Sequence, residues 1–246
     1  MSSTNRGGKR SPADNYPTPK WSTLRLLERL DPDRTRWGCM PCFEPCAGEG
    51  AIVAAANEFY GSLFTPEWTT MEIREDALPV LATHVPEKDI HIDNYLTQLA
   101  GEWTPSLVIS NPPFSIAYEV IQRSLHYKGA DVIMLLRLNF LASATRNRFM
   151  KDFPPDIYVL PNRPDFKAHG KTDSIEYAWY HWPAGKRRRS HGNVQVLDET
   201  PLAERRENFT AILHPSCAGG DHRLVLDPKD GLCCERAGCG YIDGGQ

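Results

Sequence analysis

The sequence predicts an α/β chain built on a mostly parallel sheet and followed by a small cysteine-rich module. Three observations lead there. Short apolar runs of strand length alternate with stretches of helical periodicity between Trp21 and Arg137, the pattern that builds parallel sheets with ligands at the strand C-termini. A glycine-bearing turn, Ala47 to Gly50, stands between the first such run and its helix. Seven cysteines fall into two groups, Cys39, Cys42 and Cys46 at the front and Cys217, Cys233, Cys234 and Cys239 at the back. An odd, clustered count fits thiols or metal ligands in a reducing compartment better than a disulfide framework.

The elements follow in order. Residues 1–14 are polar and basic without apolar periodicity. They are expected to form a disordered arm, because nothing in them offsets the entropy of ordering. Trp21, Leu24, Leu26, Leu27 and Leu30 recur at helical spacing until Asp31-Pro32 stops them. Cys39 to Phe43 reads as a buried strand and Ala51 to Phe59 as the helix after the glycine turn, the first half of a βαβ unit. Further strands are expected at Trp68 to Ile73, Ile90 to Ile92, Leu107 to Ser110 and Val132 to Arg137, with a helix over Ile116 to Tyr127. Beyond Asn139 the pattern loosens into loops and aromatic-rich strands at Asp156 to Leu160 and Ser174 to Trp182. Ala184 to Ser190 is a basic loop, and the region of Glu204 to Glu207 a charged helix or linker.

With 246 residues the chain can bury one full α/β core and still carry an appendage. It shows no signal-peptide-like N-terminus and no run of 18 apolar residues, so a cytosolic protein is expected. The net charge of −3 hides an asymmetry: Arg137 to Arg206 holds 13 Lys and Arg against 8 Asp and Glu. A nucleic-acid surface, where one exists, is expected in that segment, and the run Lys186 to Arg189 is read as a solvated loop or a phosphate contact. Phe166, Tyr177, Trp179 and Trp182 are read as core aromatics before base-stacking platforms. Cys39 and Cys42 are read as strand residues.

Two motifs carry chemistry. In Phe43-Glu44-Pro45-Cys46-Ala47-Gly48-Glu49-Gly50 the glycines would let backbone approach a ligand, and the helix beyond points free N–H groups into the crevice. The spacing Gly48-x-Gly50 after an acidic Glu44 differs from the G-x-G-x-x-G of dinucleotide sites. Ser110-Asn111-Pro112-Pro113-Phe114 follows an apolar strand directly. Its two prolines deny the loop helical and ladder geometry, leaving the Asn111 side chain and Pro112 carbonyl facing outward. At average residue frequencies an Asn-Pro-Pro-aromatic run arises by chance in well under roughly 1% of chains this long.

The two motifs together resemble the cofactor and catalytic motifs of the DNA amino-methyltransferases, phage and bacterial enzymes that modify the exocyclic amine of adenine or cytosine. The resemblance spans roughly residues 15 to 182, and the order of its motifs is similar to the gamma arrangement. It implies a Rossmann-like S-adenosylmethionine-dependent methyltransferase fold, with DNA as partner and the target base flipped out. Tyr16-Pro17-Thr18-Pro19 resembles the N-terminal cofactor motif, so Tyr16, Thr18 and Pro19 join Glu44, Pro45, Cys46, Ala47, Gly48, Gly50 and Asn111 as cofactor residues. Met71-Glu72-Ile73 places Glu72 where the family binds the ribose hydroxyls, and Asp93 with Tyr95-Leu96 resembles the element that reads the cofactor's adenine. Asn111, Pro112, Pro113 and Phe114 are the implied catalytic residues.

That chemistry suits the residue types. An exocyclic amine is a poor nucleophile because its lone pair is delocalised into the ring. Hydrogen bonds from its N–H groups to Asn111 and the Pro112 carbonyl would localise the lone pair for direct attack, while Phe114 would stack on the flipped base. Carbon-5 cytosine chemistry would need a Pro-Cys nucleophile in the catalytic loop, whereas Pro41-Cys42 and Pro45-Cys46 lie at the cofactor strand. Adenine N6 is expected before cytosine. An RNA base or a protein glutamine side chain also suits such a loop, and an inactive nucleic-acid-binding relative is the reading from another class. A monomer is expected.

The tail carries Cys217-x4-His222 and Cys234-x4-Cys239, two matched knuckles separated by the turn Asp227 to Gly231. Four such ligands suit tetrahedral structural zinc, and residues 210–246 resemble a zinc ribbon too small to fold on its core alone. His214 and Cys233 are the competing ligands. The methyltransferase domain is expected to run over residues 15–205.

Overall fold

The computed structural model describes residues 16–98, 103–166 and 174–206, together with the backbone of 224–227 and 231–234. The chain divides into two units, Met1–Pro201 and Leu202–Gln246. The arm over residues 1–14 lies outside the described residues.

In the first unit, α1 (Lys20–Leu30) leads to β1 (Pro41–Glu44) and α2 (Ala51–Tyr60), then β2 (Glu67–Glu72), α3 (Leu78–Leu81) and β3 (Ile90–Ile92). β4 (Leu107–Ser110), α4 (Ala117–Ser124), β5 (Asp131–Arg137), α5 (Asn147–Asp152), β6 (Asp156–Val159), β7 (Tyr177–Trp182) and β8 (Val194–Val196) complete it. One sheet takes the order β3-β2-β1-β4-β5-β7-β6-β8. Neighbours pair in parallel except at β7, which runs antiparallel to both β5 and β6.

Both faces of the sheet are covered, which is why β5 reads Val-Ile-Met-Leu-Leu without alternation. Ile133 and Leu135 face one core with Leu26, Leu27, Ile52 and Val53 from α1 and α2. Val132, Met134 and Leu136 face the other with Ala117, Val120 and Ile121 of α4. The period of two along the strand sorts the side chains into these layers. Phe166, Tyr177, Trp179 and Trp182 are buried core aromatics, and the Trp179 indole N–H donates to the Ser22 carbonyl at 3.0 Å.

The helix stop at Asp31 has a physical cause. Its carboxylate accepts the backbone N–H groups of Thr35 and Arg36 at 2.9 Å and the Tyr60 hydroxyl at 2.7 Å, so the chain turns around a buried acid. Cys39 departs from expectation: it is exposed and precedes β1, with φ of 55°, because the Trp37–Met40 turn must close before extended backbone begins. Cys42 is the buried strand thiol. α5 and β8 have no counterpart in the sequence reading.

At the N-terminal edge of the parallel strands, opposite the loops that follow them, the buried Asp131 accepts from four groups. These are His181 Nε2 at 2.8 Å, Arg36 Nη2 at 2.9 Å, Trp37 Nε1 at 3.1 Å and the Ala184 N–H at 3.2 Å. Burial alone would raise this carboxyl, but the hydrogen bond and charge of His181, then Arg36 and the Ala184 N–H, hold it below the usual carboxylate value. His181, assigned no role from sequence, is therefore structural. A depressed carboxyl contributes stability that is complete above the ordinary carboxylate range and is lost as pH falls below it. Asp131→Ala should lower the urea-unfolding free energy at neutral pH by about 3 kcal/mol, since it strands buried partners. The gap from wild type should narrow on acidification below about pH 4.

Candidate active site

Parallel strands put the loops that follow them on one edge, and strand order reverses between β1 and its neighbours β2 and β4. Ligands bind at such a reversal because the loops diverge to either side and open a crevice. The glycine loop follows β1 and the Asn-Pro-Pro-Phe loop follows β4, so the two motifs meet there.

The glycine loop is tied to β2. Ala47 N–H donates to the Met71 carbonyl at 2.9 Å, and Gly48 N–H donates to Glu72 Oε2 at 2.6 Å. The other Glu72 oxygen accepts the Arg74 N–H at 3.0 Å, with the Arg74 guanidinium 3.4 Å away. Asp93 continues the line, its N–H donating to the Glu72 carbonyl at 2.9 Å while its side chain stays exposed. Three acids thus stand at the ends of three adjacent strands: Glu44 on β1, Glu72 on β2 and Asp93 just beyond β3.

Glu44 is buried at 2% exposure, and its Oε2 has no hydrogen-bond partner among the described residues. Burial, and then the charge of Glu72, push its carboxyl well above the usual range. A buried carboxyl without a partner is costly, so Glu44 suits a cationic ligand group that would restore its charge. Burial, and then the charges of Glu72 and Glu44, likewise raise the Cys46 thiol above its usual range. Pro45 and Cys46 lie in the turn between β1 and the glycines.

The two glycines serve different ends. Gly48 and Gly50 both take positive φ, 54° and 83°. A Cβ at Gly50 would meet Leu81 Cδ1 at 2.9 Å and His84 Cδ2 at 3.2 Å. Gly50 is therefore favoured by its left-handed backbone and by the packing of α3 and its following turn against α2. Gly48 offers the N–H that Glu72 holds.

On the other wall, Asn111 Nδ2 donates to the Tyr16 carbonyl at 2.9 Å. Pro113 turns its carbonyl back to the Ile116 N–H at 3.0 Å, which starts α4. Pro112 is buried, and Phe114 is half-buried. The Phe114 ring is stacked on Tyr16 with centroids 6.1 Å apart, lies 5.7 Å from Tyr177, and carries the Arg137 guanidinium 4.6 Å from its centroid. Thr18 and Pro19 are buried at the start of α1. Sequence reasoning missed Tyr16 as a partner of the Asn-Pro-Pro-Phe loop, missed Arg74, and placed Arg137 only as a strand end at the start of the basic segment. The first is a contact across 95 positions that no local pattern encodes.

The basic segment splits between two ends of the sheet. Arg137 ends β5 on the crevice edge, Arg146 in the loop beyond donates to the Phe140 carbonyl at 3.1 and 3.0 Å, and Arg148 at the start of α5 is 96% exposed. The run Lys186 to Arg189 follows β7 on the opposite edge. There Arg187 donates to the carbonyls of Tyr127 and Ala130, each at 2.7 Å, and Arg189 bonds Asp156 at 3.0 Å. Those two arginines are occupied in holding loops together.

No family model and no curated protein matches the sequence. Solved structures match the fold. One is the methyltransferase subunit of a type I restriction-modification system from Streptococcus thermophilus, with TM-score 0.60 and 12% identity over 81% of this chain and 52% of that one. Another, from Vibrio vulnificus, is described as a modification subunit of a type I restriction enzyme, with TM-score 0.53 and 13% identity over 76% and 48%. A third, from Listeria monocytogenes, is described as a class I S-adenosylmethionine-dependent methyltransferase, with TM-score 0.53 and 14% identity over 78% and 70%. The fold is that of the class I S-adenosylmethionine-dependent methyltransferases. The chain spans about half the length of the first two of these structures.

Within this fold the glycine turn is as much a packing element as a ligand loop. Gly50→Ala should cost about 1–2 kcal/mol from the left-handed backbone alone. Its Cβ must also displace Leu81, so thermal unfolding of the purified variant should begin at a lower temperature than for wild type.

Proposed function

We propose that this chain is an S-adenosylmethionine-dependent methyltransferase that modifies the exocyclic N6 amine of adenine in DNA. One observation carries the reading: the acidic glycine loop and the Asn-Pro-Pro-Phe loop open side by side into one crevice of a methyltransferase fold. The residues present fit the cofactor. Glu44 is a buried acid whose Oε2 has no partner among the described residues, suited to a cationic group, while Glu72 and Asp93 supply acceptors at the ends of the next two strands. When bound, S-adenosylmethionine supplies an electrophilic methyl group.

The chain's own part is positioning. Asn111 accepts an N–H of the target amine through its amide oxygen, and the Pro112 carbonyl accepts another. Together they draw the lone pair out of the ring plane towards the methyl donor. The amine gains a methyl group and passes one proton to solvent. Phe114 holds the flipped base by stacking, and its own ring is braced by Tyr16 and Arg137. Arg137, Arg146 and Arg148 give the β5 side of the rim the charge to meet phosphates, whereas the acids of β1 to β3 would repel them.

The tail belongs to the same proposal as a structural zinc module. Cys217, His222 and Cys239 lie outside the described residues; Cys234 closes β10 (Gly231–Cys234), which pairs antiparallel with β9 (Leu224–Asp227). The register sets Cys234 opposite Leu224. Native mass spectrometry of the full chain should show one zinc ion, lost in Cys234→Ser/Cys239→Ser.

The test of activity is transfer of radiolabelled methyl to unmethylated duplex DNA, followed by digestion to nucleosides. Label in N6-methyladenosine, falling about 100-fold or more in Asn111→Ala, is the expected result. Label in N4-methylcytosine would change the base; label on RNA or protein, or on none of these, would overturn the DNA reading.

A further inference from the structure

We propose that Tyr16 is a positioning residue for Asn111, its backbone carbonyl fixing which end of the Asn111 amide faces the substrate. The proposal rests on the methyl-transfer reading above and adds the selection of an N–H donor as substrate.

The argument begins with the amide. An asparagine offers an acceptor oxygen and a donor NH2, and rotation by half a turn exchanges them. At Asn111 the exchange is forbidden by its neighbour. The Tyr16 carbonyl can only accept, and it lies 2.9 Å from Nδ2. The flipped amide would set two acceptor oxygens against each other. With Nδ2 held on Tyr16, Oδ1 is the acceptor end available to a ligand. A group that meets Oδ1 must donate a hydrogen, as an amine does and a ring nitrogen or carbonyl does not.

The carbonyl is held where it can do this. Tyr16 precedes Pro17, which confines its backbone to extended conformations, and Pro19 follows two residues later. The Pro19 carbonyl accepts both the N–H and the hydroxyl of Ser22, at 3.0 and 2.7 Å, which fastens the segment to the first turn of α1. At the other end, the Tyr16 ring is stacked on Phe114 and meets Phe166 edge-on at 5.9 Å. The same ring contact thus joins the segment to the motif whose amide it orients.

The first readout needs no activity. The full chain is labelled with 15N on asparagine side chains, the Asn111 signal is assigned by its disappearance in Asn111→Ala, and exchange of its NH2 hydrogens with solvent is followed. Exchange should quicken roughly tenfold in Tyr16→Ala, which loses the ring that anchors the carbonyl, and return towards the wild-type rate in Tyr16→Phe. Equal exchange in wild type and Tyr16→Ala would overturn the proposal, whether or not DNA is the substrate.

The second readout is kinetic. Tyr16→Ala should lower kcat roughly tenfold with KM for S-adenosylmethionine changed by less than about twofold, and Tyr16→Phe should rescue it. A raised KM with kcat intact would make Tyr16 a cofactor contact only, and would also overturn it. Absence of transfer by the wild-type chain would count against the methyl-transfer reading and leave the exchange result to decide this one.

Discussion

The parallel pairing of β1 with both β2 and β4 is the constraint on which the rest depends. Because all three strands run the same way, the loops that follow them must share an edge. Because β1 lies between the other two, its own loop sits at the mouth of a crevice rather than on a flat rim. The bond from Gly48 N–H to Glu72 at 2.6 Å locks the β1 loop to the end of β2. Hydrogen bonds to charged groups are the strong ones, typically about 1.5–3 kcal/mol, so this single contact helps to hold that wall of the crevice in shape.

Acids and arginines are divided across the crevice edge: Glu44, Glu72 and Asp93 stand at the ends of β1, β2 and β3, with Arg74 beside Glu72, and Arg137 ends β5. The basic loop at Lys186 to Arg189 takes no part in this division, since it lies at the other edge of the sheet with Arg187 and Arg189 bonded to neighbouring loops. A net charge summed over a segment cannot distinguish these positions; the direction of β7 does.

Much of the frame was legible in the sequence because strands buried on both faces announce themselves as short apolar runs. Ile90–Ile92 and Leu107–Ser110 have the bounds expected from sequence. β8 was not legible, because Val-Gln-Val is three residues long and both valines are exposed, so no burial pattern marks it. The site was legible as far as it is local: two motifs, each next to a strand. What escaped is held by contacts distant in sequence. Tyr16 reaches Asn111, Arg137 covers Phe114, and His181 pairs with Asp131 across 50 positions. Gly50 has a packing constraint that the motif alone does not reveal, since a Cβ there would meet the side chains of Leu81 and His84.

The proposed function requires that the acids ending β1 and β2 form a cofactor site. Calorimetric titration of S-adenosylmethionine into the full chain tests it most directly, beside the same titration of Glu72→Ala. One cofactor bound per chain, with affinity at least about tenfold weaker in the variant, is the result the account predicts. No binding to the wild-type chain, or equal binding to the two proteins, would contradict it.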